Sequence, residues 1–416
     1  MSVDEKVAYR WHMLGYLFLI NCFVNAFAFA VLPALMPLIG DEMDLSYAQI
    51  GMVWGSPAFG TLLFSVIGGN TGDRFGVRPV ILIGVLCLAI LGGLRAFCDS
   101  YSALMLVMFL MGVAYAFILP NLRKAIGVWF GPAELARATG ILAMGAGIGG
   151  GIGLTMAASV LEPWLGGWQN VLLFVSAVSL AVWILWAVLA RGREPSGLMA
   201  ELARQRPGFR EGMTKVSKVR DFWLLCIIEM FLVGIVASIV GQMPTILVDR
   251  GMTESMASIF VASFTWSTLL GMLVGPYFSD RVGLRKIFIW PILFANIPVV
   301  MMLGFLMSTP LLILIALAGL FTGWYAPILM VLILENKQIG PILAGTAFGG
   351  LVTISRIGAI VFPPLMGLAM DATGQPWAGF ALVGALGVIP AMVMLLVRET
   401  GRKARLALAE AVDRQR

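Results

Sequence analysis

The sequence predicts an all-α membrane protein of twelve transmembrane helices in two six-helix bundles related by a pseudo-two-fold axis. Three observations carry that prediction. Apolar runs of about twenty residues recur along the chain, a charged phrase occurs twice at half-length spacing, and the basic residues concentrate on alternate loops. Of the 416 residues, 60% are hydrophobic and 12% charged, and mean hydropathy is +0.95, a balance that excludes a water-soluble globular protein.

Six apolar runs in the first half read as spans: α1 (about Trp11 to Val31), α2 (Tyr47 to Gly68), α3 (Pro79 to Phe97), α4 (Ser102 to Gly127), α5 (Ala138 to Leu161) and α6 (Trp168 to Leu189). Six more follow in the second half: α7 (Phe222 to Leu247), α8 (Ser255 to Phe278), α9 (Lys286 to Met307), α10 (Pro310 to Leu334), α11 (Leu343 to Leu368) and α12 (Trp377 to Val397). The chain therefore divides into an N-terminal bundle (1–190), a linker rich in Arg, Glu and Gly (191–221), a C-terminal bundle (222–397) and a basic tail (398–416). With the N-terminus inside, 25 of the 28 Lys and Arg residues fall on the inner side, which predicts a multi-pass protein of the cell's inner (plasma) membrane with both termini cytoplasmic. The exceptions are Arg95 and Arg250, read as outer-edge residues, and Arg356 inside α11.

The same composition narrows the chemistry. The net charge of +6 reads as this sidedness plus contact with anionic lipid, not as a nucleic-acid surface. The first apolar run is long enough to span and lacks a small-residue cleavage site after it, so it is expected to stay as α1. Cys22, Cys87, Cys98 and Cys226 lie in or at the edge of apolar segments without metal-type spacing and read as small packing residues. A single histidine, His12, leaves no His-ligated metal site and no Ser/His catalytic pair. There is no Gly-x-x-x-x-Gly-Lys-Ser/Thr phosphate cradle, and no loop has room for a soluble catalytic domain. The expectation is a protein that is not an enzyme and uses no cofactor.

The duplicated phrase is the most specific signal. Gly69-Asn-Thr-Gly-Asp73-Arg74-Phe-Gly76-Val-Arg78 returns as Ser279-Asp280-Arg281-Val-Gly283-Leu-Arg285-Lys286, and Asp73 and Asp280 stand 207 residues apart in a chain of 416. Each copy joins the second and third spans of its half, which marks a tandem duplication. The glycine supplies the positive φ of a tight two-helix turn, and the arginines remain on the inner face. A carboxylate at a helix C-terminus opposes the macrodipole, so Asp73 needs a basic partner or a neighbouring helix N-terminus.

Two six-span halves, a long central linker and this phrase resemble the major facilitator superfamily over the whole chain. Gly69, Asp73, Arg74, Gly76 and Arg78 match the family's phrase position by position; in the second copy Asp280, Arg281, Gly283, Arg285 and Lys286 match, while Pro276 replaces the first glycine. The resemblance implies two bundles rocking about a central site, with the phrase as a latch whose carboxylate partner lies in the other half. α5 carries Gly140, Gly145, Gly147, Gly149, Gly150, Gly151 and Gly153, a density that implies close helix packing. Gly150 stands where drug/proton antiporters of the family have a proline, and Met108 where they have an arginine. The stretch from Gly112 through Tyr115 and Trp129-Phe130 to Gly140 instead resembles organic-anion and organophosphate carriers.

Ionisable groups inside spans are the first candidates for function, because a charge at mid-bilayer costs ~2.5–3.5 kcal/mol on insertion scales. Arg356 lies near the middle of α11 and is a candidate to bind a substrate carboxylate in bidentate fashion; pairing with a neighbouring helix is the structural alternative. Glu229, one-third along α7, is the candidate coupling residue, against snorkelling or pairing with Arg123 or Lys124. Asn21 and Asn25 share one face of α1 and serve either substrate or interhelical hydrogen bonds. Tyr115 and Asn121 on α4, Trp266 on α8, and Trp324 with Tyr325 on α10 complete the substrate-binding candidates, though aromatic residues more often simply pack. The reading is a secondary active transporter of a small organic anion, a carboxylate, by proton symport, uniport or exchange, for which a monomer suffices. An exporter of drug-like or amphipathic compounds is the alternative within transport, and a transporter-like sensor or assembly protein the alternative of another class.

Overall fold

The computed structural model describes residues 3–130, 132–190, 209–336 and 338–402, and among these the chain is helical with no strand. Eleven helices among the described residues are long and apolar enough to cross a membrane. They are α1 (Tyr9–Glu42), α2 (Tyr47–Phe75), α3 (Val77–Phe97), α4 (Tyr101–Trp129), α5 (Arg137–Leu165), α6 (Trp168–Leu189), α7 (Arg220–Asp249), α8 (Glu254–Val282), α10 (Ser308–Glu335), α11 (Gly345–Thr373) and α12 (Pro376–Leu396). The twelfth, α9 (Lys286–Met302), is apolar but shorter. Residues 191–208 of the predicted linker and 403–416 of the predicted tail lie outside the described residues; a short helix, Phe209–Val216, precedes α7.

Two spans depart most from the sequence expectation. α1 does not stop at Val31 but runs on through the buried Pro33 and Pro37 to Glu42, so Asp41 and Glu42 belong to its last turn. Proline is tolerated there because, inside a helical membrane protein, neighbouring helices and local widening of the turn absorb its missing N–H. The π-helical segment Ile20–Phe27 widens α1 upstream, whereas Pro33 and Pro37 themselves stand in the α-helical part Ala28–Glu42, buried among neighbouring helices. α9 was expected to reach Met307 but ends at Met302. It opens in a 3-10 turn, Lys286–Phe288, and carries Pro298, while the chain beyond it folds into a turn at Gly304 against the backbone of Trp377.

Contacts divide the chain into two compact units, Met1–Arg204 with Val240–Ala262, and Gln205–Ile239 with Ser263–Arg416. Within the first, Leu17, Ile20, Val31, Leu32 and Met36 of α1 are fully buried and form its centre. Within the second, Phe222, Leu225 and Cys226 of α7 pack with Leu329 and Leu332 of α10, Leu351 of α11 and Met394 of α12.

The duplication survives at the level of single atoms. In the first half Thr61 Oγ1 donates to Pro57 O (2.8 Å) on its own helix and to Gly112 O (3.0 Å) on α4. In the second, Thr268 Oγ1 donates to Phe264 O (2.8 Å) and to Gly319 O (3.1 Å) on α10. Each residue is 207 positions from its counterpart. A Cβ on Gly112 would lie 2.2 Å from Pro57 O, and one on Gly319 would lie 2.2 Å from Phe264 O, so both crossings require glycine. The caps repeat as well: Ser46 Oγ accepts from Gln49 N at the start of α2, and Thr253 Oγ1 from Met256 N at the start of α8.

The glycine run of α5 packs on α1. Built on Gly145, Gly149 and Gly153, Cβ atoms would lie 3.1 Å from Phe18, 2.1 Å from Cys22 O and 2.9 Å from Phe27 O. The α5 contacts advance by four residues each, whereas on α1 they advance by four and then five. The extra residue falls in the π segment, which keeps the two helices in register beyond it.

Candidate functional site

The two charged turns are built alike and paired differently. α2 ends at Phe75 and Gly76 turns with φ 84°; α8 ends at Val282 and Gly283 turns with φ 74°. A side chain is strained at such a φ, which is why the phrase needs glycine there. In the first copy Asp73 meets a cation of its own half: Lys124 Nζ on α4 lies 2.6 Å from Asp73 Oδ1 and also donates to Gly69 O (2.7 Å). Arg78 Nη2 donates to Ala187 O on α6 (3.1 Å), while Arg74 is exposed and lies over the Phe75 ring.

Beside this turn, Asn121 is fully buried and its Nδ2 donates to Gly68 O (2.9 Å) and Phe117 O (2.6 Å). A Cβ on Gly72 would fall 1.6 Å from the Asn121 amide oxygen. Asn121 is thus a clasp between α2 and α4, where the sequence had offered it as a substrate ligand.

The second copy is a tighter cluster. Arg285, with a side chain 12% exposed, reaches Glu335 Oε1 at 3.0 Å and also pairs with Asp280 of its own turn. Burial alone pulls the Arg285 guanidinium pKa down, but hydrogen bonds to Glu335 and Asp280 outweigh it and the net direction is up. Glu399, beyond α12, accepts from the backbone N–H groups of Arg285 and Lys286 (2.8 Å each) and so caps the start of α9. Thr400 Oγ1 donates to Glu335 Oε2 (2.9 Å), which ties the chain after α12 to the same cluster. Arg281 is exposed.

Arg356 is half-buried and stands at the midpoint of the helix Gly340–Thr373. Glu229 is also half-buried, ten residues into α7. Both flank one helix crossing, where a Cβ on Gly358 would come within 1.8 Å of Met230 O and one on Gly234 within 2.6 Å of the Phe362 ring. The duplication sharpens this. Residue 149, which packs on Cys22 in the first half, corresponds to 356, and Cys22 corresponds to 229. The two positions that meet glycine-on-backbone in the first half are thus an arginine and a glutamate in the second, where the close contact is made instead by Gly358 on the Met230 carbonyl. Sequence spacing held this signal, but only once the α1–α5 contact named its two residues.

On α1 the asparagines form a chain. Asn21 Nδ2 donates to Leu142 O (2.7 Å), and Asn25 Nδ2 to Asn21 Oδ1 (3.1 Å); both residues are buried. Tyr115 is buried and its hydroxyl donates to Asn25 O (3.2 Å). Its ring meets Phe29 edge-on, and Phe29 lies against Trp54. Trp324 stacks parallel to Phe278 at 5.8 Å, Tyr325 is buried in the second unit's core, and Trp266 is exposed. Sequence reading placed Arg95 at an outer edge; the structure buries it completely.

Comparison with known proteins agrees with this architecture. The family description "Major Facilitator Superfamily" matches residues 18–251 and 230–414. The hexuronate transporter of Bacillus subtilis (strain 168) is 23% identical over 376 residues, covering 86% of this chain and 88% of that protein. The probable sulfoacetate transporter SauU of Cupriavidus necator is 25% identical over 381 residues, covering 87% of each. Among solved structures, a bacterial homologue of the human lysosomal transporter Spinster, inward-facing and unoccupied, superposes with a TM-score of 0.76 at 18% identity, over 94% of this chain and 95% of that one. With a family match across nearly its whole length and the duplicated turn in both halves, this multi-pass membrane protein belongs to the Major Facilitator Superfamily.

Proposed function

We propose that the protein is a secondary active transporter of small organic anions bearing a carboxylate, working by alternating access in the cell's inner membrane with both termini cytoplasmic. The observation that carries this reading is Arg356, a guanidinium at the midpoint of an apolar helix, where a charge is costly unless it is used. A planar fork of N–H donors suits a carboxylate better than a neutral sugar or a cationic drug. The relatives named for hexuronate and sulfoacetate carry anions, which supports the same class. In this reading the charged turns of the bundles 1–190 and 222–397 act as latches, substrate and protons are the only small-molecule partners, and one chain is the working unit.

The test is uptake into proteoliposomes of a panel containing a hexuronate, sulfoacetate, an aromatic carboxylate, a neutral sugar and a cationic drug. Saturable uptake of the carboxylates alone is expected. Uptake confined to the sugar or the drug, or binding without uptake of any member, removes the reading.

Glu229 supplies the coupling. A carboxylate that takes up a proton on one side and releases it on the other lets an inward proton gradient drive anion entry. Glu229→Gln is then expected to abolish the stimulation of uptake by an acidic exterior while leaving substrate exchange measurable. A variant that still responds to the gradient as wild type does would assign coupling to another group.

A further inference from the structure

At the end of the first unit farthest from its charged phrase, carboxylates outnumber cations. Asp41, Glu42 and Asp44 lie at the α1–α2 turn, Glu162 in the last turn of α5, and Asp249 and Glu254 on either side of the α7–α8 turn. All six belong to the first unit, and none forms an ion pair among the described residues. Arg250 is the one basic residue of these three turns. Hydrogen bonds draw the turns together. Tyr47 Oη donates to Asp249, joining the start of α2 to the end of α7, and Trp168 Nε1 donates to Glu42 (2.6 Å), joining the start of α6 to the end of α1. The carboxylates thus form one rim.

The opposite end of the same unit has the opposite sign. Asp73 and Glu134 are matched there by Lys124 (2.6 Å) and Arg10 (2.7 Å). Arg74, Arg78, Arg123 and Arg137 stand without an ion pair among the described residues, and all but the half-buried Arg78 are exposed.

Membrane insertion accounts for the guanidinium groups but not for the rim. Lys and Arg are held on the cytoplasmic side, whereas Asp and Glu contribute little to orientation, so neutral turn residues would serve topology equally well. Charges that share one face of a protein sum to a field that alters the local concentration of a small ion and its rate of arrival. Asp41, Glu42, Asp44 and Asp249 are exposed, so the field of the rim reaches into water. An anion meets repulsion at that end and attraction at the other.

We propose that the two ends of the first unit are unequal mouths for the transported anion, the acidic rim holding it off at the outer face and the guanidinium-rich end gathering it at the cytoplasmic face, so that the carrier loads more readily from inside. This sidedness rests on the organic-anion reading and adds to it an unequal loading at the two faces. It needs no further binding site, because the field acts on the anion before it is bound.

The test is transport in proteoliposomes of neutral phosphatidylcholine, with the orientation of the protein scored by protease access to a C-terminal tag. A hexuronate and an aromatic carboxylate, both monoanions, are supplied from one face at a time. Raising the salt from about 10 mM to about 150 mM shortens the screening length from ~30 Å to ~8 Å. The kcat/KM for loading from the outer face is expected to rise roughly threefold, and that for loading from the cytoplasmic face to fall by a similar factor. The combined variant Asp41→Asn, Asp44→Asn, Glu254→Gln spares the hydrogen-bonded Glu42 and Asp249. At low salt it should raise the outer value about as much as salt does and leave the cytoplasmic value unchanged.

Loading that responds to salt in the same direction at both faces, or at neither, overturns the proposal while leaving anion transport standing. A combined variant whose outer kcat/KM stays at the wild-type value also overturns it, since the field would then not come from the rim. So does a variant slowed equally at both faces, which would make the carboxylates part of the structure alone. Failure of every carboxylate to be carried overturns the transport reading and this one together.

Discussion

Replacing Arg356 with glutamine is expected to lower the kcat/KM of carboxylate uptake roughly a hundredfold, the equivalent of about 3 kcal/mol for the loss of charge-assisted hydrogen bonds to the substrate. Glutamine keeps length and some hydrogen-bonding capacity, so the loss reports the charge and the fork. The position makes a second explanation specific enough to test. By the duplication Arg356 and Glu229 occupy the places of Gly149 and Cys22, which touch in the first half. An arginine whose only task is to neutralise Glu229 becomes dispensable once the glutamate is neutral. The double variant Glu229→Gln, Arg356→Gln separates the two. Under the substrate-binding reading it transports as poorly as Arg356→Gln alone; recovery to within about threefold of Glu229→Gln would make Arg356 a counter-ion and remove the carboxylate argument built on it.

Much of this molecule could be read without coordinates, because bilayer length, charge sidedness and repetition are properties of short stretches of chain. The α2–α3 and α8–α9 turns, the glycine stripe of α5 and the charge inside α11 are of that kind. What was illegible depends on which residues from distant segments meet. Asp73 called for a cation, but nothing in the phrase says that Lys124, fifty-one residues on and in the same half, supplies it. Asn121 reads as a polar group in a span, and only the closeness of Gly68 and Gly72 shows that it ties two helices together. Arg95 follows a run of apolar residues and precedes Asp99, which looks like a helix end reaching water. Its burial follows from neighbours that the local sequence does not name, among them α1, whose Ala28 carbonyl accepts from the guanidinium. The π segment has no sequence signature of its own; it is visible only as a register step against α5.

The second large effect is expected at the other charged turn, and on stability. Arg285→Gln should lower the melting temperature of the detergent-solubilised protein by roughly 5–10 °C, on a loss of about 3 kcal/mol for breaking a mostly buried ion pair. Arg285 and Glu335 are 12% and 15% exposed, and removing the guanidinium takes the cation from a mostly buried carboxylate to which the Thr400 hydroxyl still donates. Asp280, 66% exposed, contributes little, since a carboxylate in water is already solvated. The first copy provides the control. Asp73 is 67% exposed in its pair with Lys124, so Asp73→Asn should move the melting temperature by no more than about 1 °C. The two copies of one phrase thus carry different loads: the second is pinned by Glu335 and by Glu399 capping α9, the first is held by a solvated pair that breaks at little cost. Tryptophan fluorescence during heating measures both variants. Equal shifts, or a larger one for Asp73→Asn, would show that exposure does not rank these pairs and that the asymmetry has no energetic meaning.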